Sequence, residues 1–388
     1  MRVIHVSPYF APAFCYGGPP RSILGLCQGL THAGVDVEVF TTTANGADQL
    51  PADPDGHDYD GVRARYFPLG FPRRYWRSPG LERAVSEAAG HADFVHVHGL
   101  WNFTGWSGVR AARAAGLPYA ISPRGMLQGP ARARHRALKD VAFAAIERAN
   151  LRGAAFLHAT SAEEAGGLGD FGPPVVLVAN GVTPEDATPA DMARVRREAD
   201  IPDAAPVVLF LGRLHPIKRL DLLADAFLRV RRTMPDAYLV LAGPDEGGHR
   251  RLVEAQLQSA ADRVRFVGPV VGADKAAWLA SSAVLVQCSD SESFGMSVAE
   301  ALAAGTPAVV TDRGSWRDLE ASGCGLVVAH SADALAAALE RMLRNPAEAS
   351  AMGARGRAWV AGRLGWDEVG REMARAYETA LARTGAAA

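Results

Sequence analysis

Short strand-like runs, most of them rich in apolar residues and with helix-like stretches among them, recur from one end of this chain to the other. In the first half they fall at residues 3–7, 37–40, 63–66, 94–97, 119–122, 156–159 and 175–178; in the second, at 207–211, 237–241, 264–267, 284–287, 308–311 and 325–328. A strand that is apolar at successive positions is buried on both faces, which a parallel sheet flanked by helices provides. The alternation therefore predicts an α/β fold of doubly wound, Rossmann-like sheets. At 388 residues the chain exceeds one compact core, so two domains are expected. The polar stretch 184–204, dotted with Pro184, Pro189 and Pro202, carries a helix signal but no strand. It is read as the connection between a domain at 1–183 and a domain at 205–364, with 365–388 as a terminal helical segment.

Composition excludes several classes. Apolar residues make up 48%, too many for a disordered chain, and no run approaches the ~18 that span a membrane. A net charge of −1 argues against general nucleic-acid binding. Cys15, Cys27, Cys288 and Cys324 show no paired spacing, so reduced thiols are expected. Met1-Arg2 leads straight into a strand without a leader-like apolar stretch, so a cytoplasmic location is expected.

Two strand–loop–helix units carry complementary chemistry. After the run 283–288 comes Glu292-Ser-Phe-Gly-Met-Ser-Val-Ala-Glu300, one carboxylate on the loop leaving a strand and the other inside the next helix. Between them Gly295 lets backbone approach a ligand, and the helix start offers free N–H groups to an anion. After 207–211 comes Gly212-Arg-Leu-His-Pro-Ile-Lys218, where Arg213 as a fork and Lys218 as a point charge suit one diphosphate. Each unit alone matches an ordinary surface loop. Together, hydroxyl-accepting carboxylates around a diphosphate-binding loop suit a nucleotide sugar.

These motifs resemble those of the retaining GT-B glycosyltransferases of family 4, and the resemblance runs almost end to end. It implies two Rossmann-like domains facing across a cleft, an N-terminal domain for the acceptor and a C-terminal one for the nucleotide sugar. It also implies that the helix at 365–388 crosses back to the first domain. By the same resemblance Arg213 and Lys218 hold the donor diphosphate, Glu292 the sugar hydroxyls and Glu300 the ribose. Phe294, Gly295 and Met296 match the loop whose amides face sugar and phosphate, and Val270 in Phe266-Val-Gly-Pro-Val270 matches the base contact. Gly17 and Gly18 in Tyr16-Gly-Gly-Pro-Pro20 resemble the glycine loop over the phosphates, although the dinucleotide spacing G-x-G-x-x-G is absent. His98, ending the strand 94–97, matches the histidine beside the donor sugar. Ser122-Pro-Arg-Gly-Met126 is similar to a stretch in bacterial exopolysaccharide and lipid-linked oligosaccharide transferases, making Arg124 a candidate acceptor contact. Expected substrates are a UDP- or GDP-linked hexose and a glycan, lipid-linked or small-molecule acceptor hydroxyl. Catalysis by retention is expected to follow a front-face route. Asp312-Arg-Gly-Ser315-Trp316-Arg-Asp318 departs from the family, where many members carry paired glycines followed by Glu.

No cofactor or metal is expected. His96 and His98 share one side of their strand, but no third ligand is seen at suitable spacing, and His96 is read as a core histidine bonded to a backbone carbonyl. Asp53-Pro-Asp55 and Asp58-Tyr-Asp60 lie in 49–61, which reads as a solvated loop rather than a metal motif. One segment, 124–152, is basic: Arg124, Arg132, Arg134, Arg136, Lys139, Arg148 and Arg152 stand against Asp140 and Glu147. With Leu138, Val141, Ala142, Ala145 and Ile146 at helical spacing, it reads either as a solvated face or as a peripheral contact with the inner membrane surface. A nucleotide-sugar epimerase or a non-enzymatic nucleotide-sugar binder on the same scaffold remain alternatives.

Overall fold

The computed structural model describes residues 1–127, 140 and 142–385. The chain forms two compact units, Met1–Gly181 with Trp366–Ala388, and Val182–Gly365. The helix Pro189–Glu198, in the stretch read as a connection, belongs to the second unit.

The first unit holds β1 (Arg2–Val6), β2 (Asp36–Thr42), β3 (Ala44–Asn45), β4 (Asp48–Gln49), β5 (Asp53–Tyr59), β6 (Val62–Phe67), β7 (Phe94–His98), β8 (Tyr119–Ser122), β9 (Phe156–Ala159) and β10 (Val175–Leu177). Its main sheet runs β10-β9-β8-β7-β1-β2-β6-β5, parallel throughout except for β5, and β3 with β4 forms a small ribbon. Strand alternation divides the core into two layers. Val3 and Phe94 face the helices Gly18–His32 and Trp366–Gly385, while Ile4, Val6, Val95 and Val97 pack on the opposite face. His5 and His96 share the parity of Val3 and Phe94, which aims them beneath the terminal helix. That helix crosses Gly18–His32 at glycines. A Cβ on Gly29 would lie 2.0 Å from the Trp366 carbonyl oxygen, so only glycine allows the approach.

The stretch 49–61 is not the solvated loop expected from its sequence. It contains β5, paired antiparallel to β6 through Asp53–Tyr66 and His57–Ala64. An edge strand uses one side of its ladder and stays wet on both faces, so it tolerates Pro54 and shows no apolar period. Its carboxylates serve the backbone: Asp53 accepts from the Gly56 N–H (2.9 Å) and Asp58 from the Gly61 N–H (3.0 Å).

The second unit is a six-stranded parallel sheet ordered β13-β12-β11-β14-β15-β16, from β11 (Val207–Leu211), β12 (Tyr238–Ala242), β13 (Val264–Gly268), β14 (Val284–Gln287), β15 (Ala308–Thr311) and β16 (Gly325–Val328). Chain order reverses between β11 and β14, which pair directly. At such a switch point the loops leaving the strand ends diverge and open a ligand crevice. The loops leaving β11 and β14 are those carrying Lys218 and Glu292. In the first unit the reversal lies between β1 and β7, whose last residue is His98.

Candidate active site

Beyond β11 the chain turns through the short helix Pro216–Lys218 and enters Leu220–Thr233 at Arg219, which is left-handed (φ 52°). Because β11 and β14 are neighbours, Lys218 meets Glu292 although 74 positions separate them in sequence, and the two form an ion pair. Both side chains are largely buried, and Ser289 Oγ donates to the same carboxylate oxygen (3.0 Å). The Glu292 carbonyl accepts from Ser315 Oγ (2.6 Å). Gly295, left-handed at φ 81°, caps the helix Met296–Ala303. A Cβ there would stand 2.8 Å from the Gln287 amide and 3.0 Å from Trp316 Nε1, so the position has neither conformational nor spatial room for a side chain. Trp316 donates to the Gly295 carbonyl (3.2 Å) and packs on Phe294 at 5.5 Å. The departure from the family pattern at Ser315-Trp316 thus supports the Glu292–Gly295 loop from below.

Other sequence candidates are arranged around this centre. Glu300, one turn into its helix, pairs with Lys275 (3.0 Å). Lys275 belongs to the helix Gly272–Ser281 that follows the half-buried Val270. Gly243 donates to the Gly268 carbonyl (2.7 Å), tying the β12 and β13 loops together. Arg213 does not join Lys218: it pairs with Glu246, beyond β12. That pair is nearly half exposed, and exposed pairs contribute only about 0–1 kcal/mol, so it holds Arg213 weakly.

In the first unit, Gly17 (φ 85°) caps the helix starting at Gly18. Pro19 and Pro20 have no N–H, which removes two of the orphan donors of that helix's first turn. Arg124, left-handed at φ 52°, donates to Ser22 Oγ (2.9 Å) on this helix and to His98 Nδ1 (3.3 Å), so it links the glycine loop to the end of β7. Its turn is held by Glu164, which accepts from the N–H groups of Gly125 (2.6 Å) and Thr160 (2.9 Å). Burial pulls the Arg124 pKa down to about 10, against the opposing charge of Glu164.

His98 is 1% exposed, and both ring nitrogens are engaged, Nδ1 with Arg124 and Nε2 with His5 (2.9 Å). A third histidine does stand beside His96 and His98, contrary to the sequence reading: His5, brought in by the β1–β7 pairing. The ligand atoms of the three lie within 4.8 Å of one another. Every one of their ring nitrogens is hydrogen-bonded, however, and the Arg124 guanidinium alongside opposes a cation. His96 is held by Tyr377 Oη (2.6 Å) and Ser122 Oγ (2.7 Å) rather than by a carbonyl; the carbonyl partner belongs to His158, which meets Val178 O (2.9 Å). Burial holds all four histidines well below their ordinary pKa, His5 and His158 at about 3.

Of the basic segment, Arg132, Arg134, Arg136, Leu138, Lys139 and Val141 lie outside the described residues; Arg148 and Arg152 are exposed on the helix Arg148–Arg152. No helix among the described residues is long and apolar enough to cross a membrane.

Two doubly wound parallel sheets with these loops at their switch points define a GT-B glycosyltransferase architecture. Residues 191–359 match the family of glycosyl transferases group 1, and 17–181 match the glycosyl transferase 4-like domain. The chain is similar to the D-inositol 3-phosphate glycosyltransferases of Streptomyces scabiei (31% identity, 98% of this chain and 91% of that one) and Frankia alni (31%, 97% and 98%). Among solved structures it is similar to sucrose-phosphate synthase from Thermosynechococcus elongatus (TM-score 0.78, 23% identity, 99% of this chain and 100% of that one). Anabaena Alr3699/HepE in complex with UDP and glucose is also similar in fold (TM-score 0.75, 18%, 98% and 100%). The chain belongs to the family 4-like GT-B glycosyltransferases.

Proposed function

We propose that this glycosyltransferase moves a hexose-type sugar from a UDP- or GDP-linked donor to an acceptor hydroxyl, with retention and without a metal ion. The observation that carries this reading is the Lys218–Glu292 pair beside the left-handed Gly295 and the helix start at Met296. Departure of the nucleotide builds negative charge on the diphosphate; Lys218, Arg213 and the free N–H groups of the helix start meet it with fixed positive ends. These groups supply the charge that a divalent ion provides elsewhere. Glu300 and Lys275 suit the ribose end, with Val270 beside the base.

Double displacement would need a free carboxylate at the anomeric carbon. Glu292 is instead paired with Lys218 and bonded by Ser289, which lowers its nucleophilicity and favours its role as acceptor for sugar hydroxyls. A front-face route, with the leaving phosphate oxygen taking the acceptor proton, fits this arrangement. For the acceptor, the names of the full-length relatives support a small phosphorylated polyol such as inositol 3-phosphate. A glycan or lipid-linked acceptor is the second class to test, on the motif around Arg124.

Calorimetric titration with UDP, GDP and ADP, with and without EDTA, tests the donor site. EDTA-insensitive binding of one nucleotide, lost in Arg213→Ala, is expected; absence of binding by all three overturns the donor reading. NMR of the product from the matching nucleotide sugar and inositol 3-phosphate then reads the anomer, and an inverted product refutes retention.

A further inference from the structure

A set of polar groups in the interior of the first unit forms one continuous line. Arg124 Nε and Nη2 stand 3.3 Å from His98 Nδ1; His98 Nε2 is 2.9 Å from His5 Nδ1; His5 Nε2 is 3.4 Å from Tyr377 Oη. Tyr377 Oη is 2.6 Å from His96 Nδ1, His96 Nε2 is 2.7 Å from Ser122 Oγ, and Ser122 Oγ is 2.6 Å from His158 Nδ1. The line ends with His158 Nε2, 2.9 Å from the Val178 carbonyl oxygen. Its side chains come from β1, β7, β8, β9, the terminal helix and the turn after β8 that carries Arg124, and it ends at Val178, just past β10.

The two ends fix the direction of every proton between them. A guanidinium only donates and a carbonyl only accepts, while a neutral imidazole, a phenol and a serine hydroxyl each carry one proton. Arg124 therefore donates to His98, His98 to His5, His5 to Tyr377, Tyr377 to His96, His96 to Ser122, Ser122 to His158, and His158 to Val178. Any other arrangement sets two donors or two lone pairs face to face in a water-free interior, which costs about 1–3 kcal/mol for each lost partner.

We propose that this directed line, with Tyr377 and His5 as positioning residues, fixes His98 as a neutral Nε2–H imidazole. Its Nδ1 then acts on substrate as a hydrogen-bond acceptor and not as a general base. Nδ1 has one lone pair, so a substrate hydroxyl binds there by replacing the Arg124 guanidinium. A proton taken up at Nδ1 has nowhere to go, because the line ends on an amide carbonyl. Among the described residues, the remaining charged or titratable groups around it are Glu164 and Tyr9 about Arg124, and Cys27 near Tyr377. None offers the line a second acceptor end. The depressed pKa values of the four rings agree with neutral imidazoles. The substrate role rests on the transferase reading; the tautomer does not.

The test is long-range ¹H–¹⁵N NMR of the full chain labelled in histidine, with signals assigned by single substitutions. His5, His96, His98 and His158 are expected to show the neutral Nε2–H pattern, without titration, from pH 8 to 6. An Nδ1–H or titrating His98 overturns the proposal whatever the enzyme's activity. Tyr377→Phe keeps the ring in the core but breaks the line at its centre. In the free variant Arg124 still donates to Nδ1 and keeps His98 as Nε2–H; with substrate in place of Arg124, His98 should show mixed tautomers, with kcat/KM falling about tenfold, the scale of one lost hydrogen bond, and nucleotide affinity unchanged. A Tyr377→Phe enzyme with wild-type kcat/KM and pH profile overturns the positioning role. Co²⁺ provides a further check: a stoichiometric ligand-field band lost in His5→Ala overturns the line, since coordination needs the nitrogens it uses.

Discussion

Mild acid should unfold the first unit, and the histidines set the scale. His5, His96, His98 and His158 are buried and neutral in the fold, and each regains a pKa near 6.5 when the chain unfolds. The unfolded chain therefore binds more protons, and stability rises with pH. The contribution of neutral burial is complete above about pH 6.5 and is lost progressively as pH falls toward the folded values, about 3 for His5 and His158. Below pH 6.5 each ring costs 2.303RT, about 1.4 kcal/mol, per pH unit. Four rings acting together remove roughly 5 kcal/mol by pH 5.5, comparable to the ~5–15 kcal/mol that holds a domain folded. An acid midpoint near pH 5 follows, above the range where ordinary carboxylates titrate. His215 and His330 in the second unit are shifted the same way by partial burial, so the decisive comparison is with variants. Urea denaturation at half-unit steps from pH 8 to 5 gives the slope of stability against pH. His158→Gln should reduce that slope by about one proton's worth. A wild-type slope below about 1.4 kcal/mol per pH unit between pH 6 and 5, or a His158→Gln slope equal to wild type, refutes the reasoning.

Three further outcomes are expected. In a double-mutant cycle of Lys218→Met and Glu292→Gln, the pair should show a coupling of about 1–3 kcal/mol in urea denaturation, and Lys218→Met should lower kcat by about 10²–10³; coupling within error of zero removes the pair. Gly29→Ala forces a methyl to within 2.0 Å of the Trp366 carbonyl, so calorimetry should show Tm lowered by about 3–10 °C, matching ~1–3 kcal/mol of overpacking. Glu300→Gln should weaken nucleotide binding about tenfold or more by calorimetry, whereas Asp262→Asn, paired with Arg231 on the exposed surface, should leave it unchanged.

The architecture was legible because strand burial leaves a local trace. A strand buried on both faces is dominated by apolar residues, and each strand-like run in the sequence corresponds to a strand with a parallel neighbour. β5 was missed for the converse reason: exposed on both faces at the sheet edge, Asp53–Tyr59 had no pattern to show. The loop chemistry of Gly212–Lys218 and Glu292–Glu300 was legible as residue types at a strand end. The partners that orient those side chains were not. Ser289, three residues before Glu292, sits in an unremarkable context, and Lys275 and Ser315 reach Glu300 and Glu292 only through the tertiary fold.

The histidine line shows the same limit more sharply. The sequence placed His96 and His98 on one side of a strand, since alternation is local. It gave no hint of His5, because the β1–β7 pairing sets His5 opposite His96 across 91 positions. Tyr377 lies further still, on a helix that packs close where Gly29 and Gly370 let the two backbones approach. A third metal ligand could thus be neither excluded nor found by spacing. What distinguishes a metal site from a hydrogen-bonded line here is the identity of the end groups, Arg124 and the Val178 carbonyl, and both are tertiary facts. Local pattern gives the scaffold and the type of chemistry, while the protonation state of the residue performing it is decided by whichever groups the topology sets at either end.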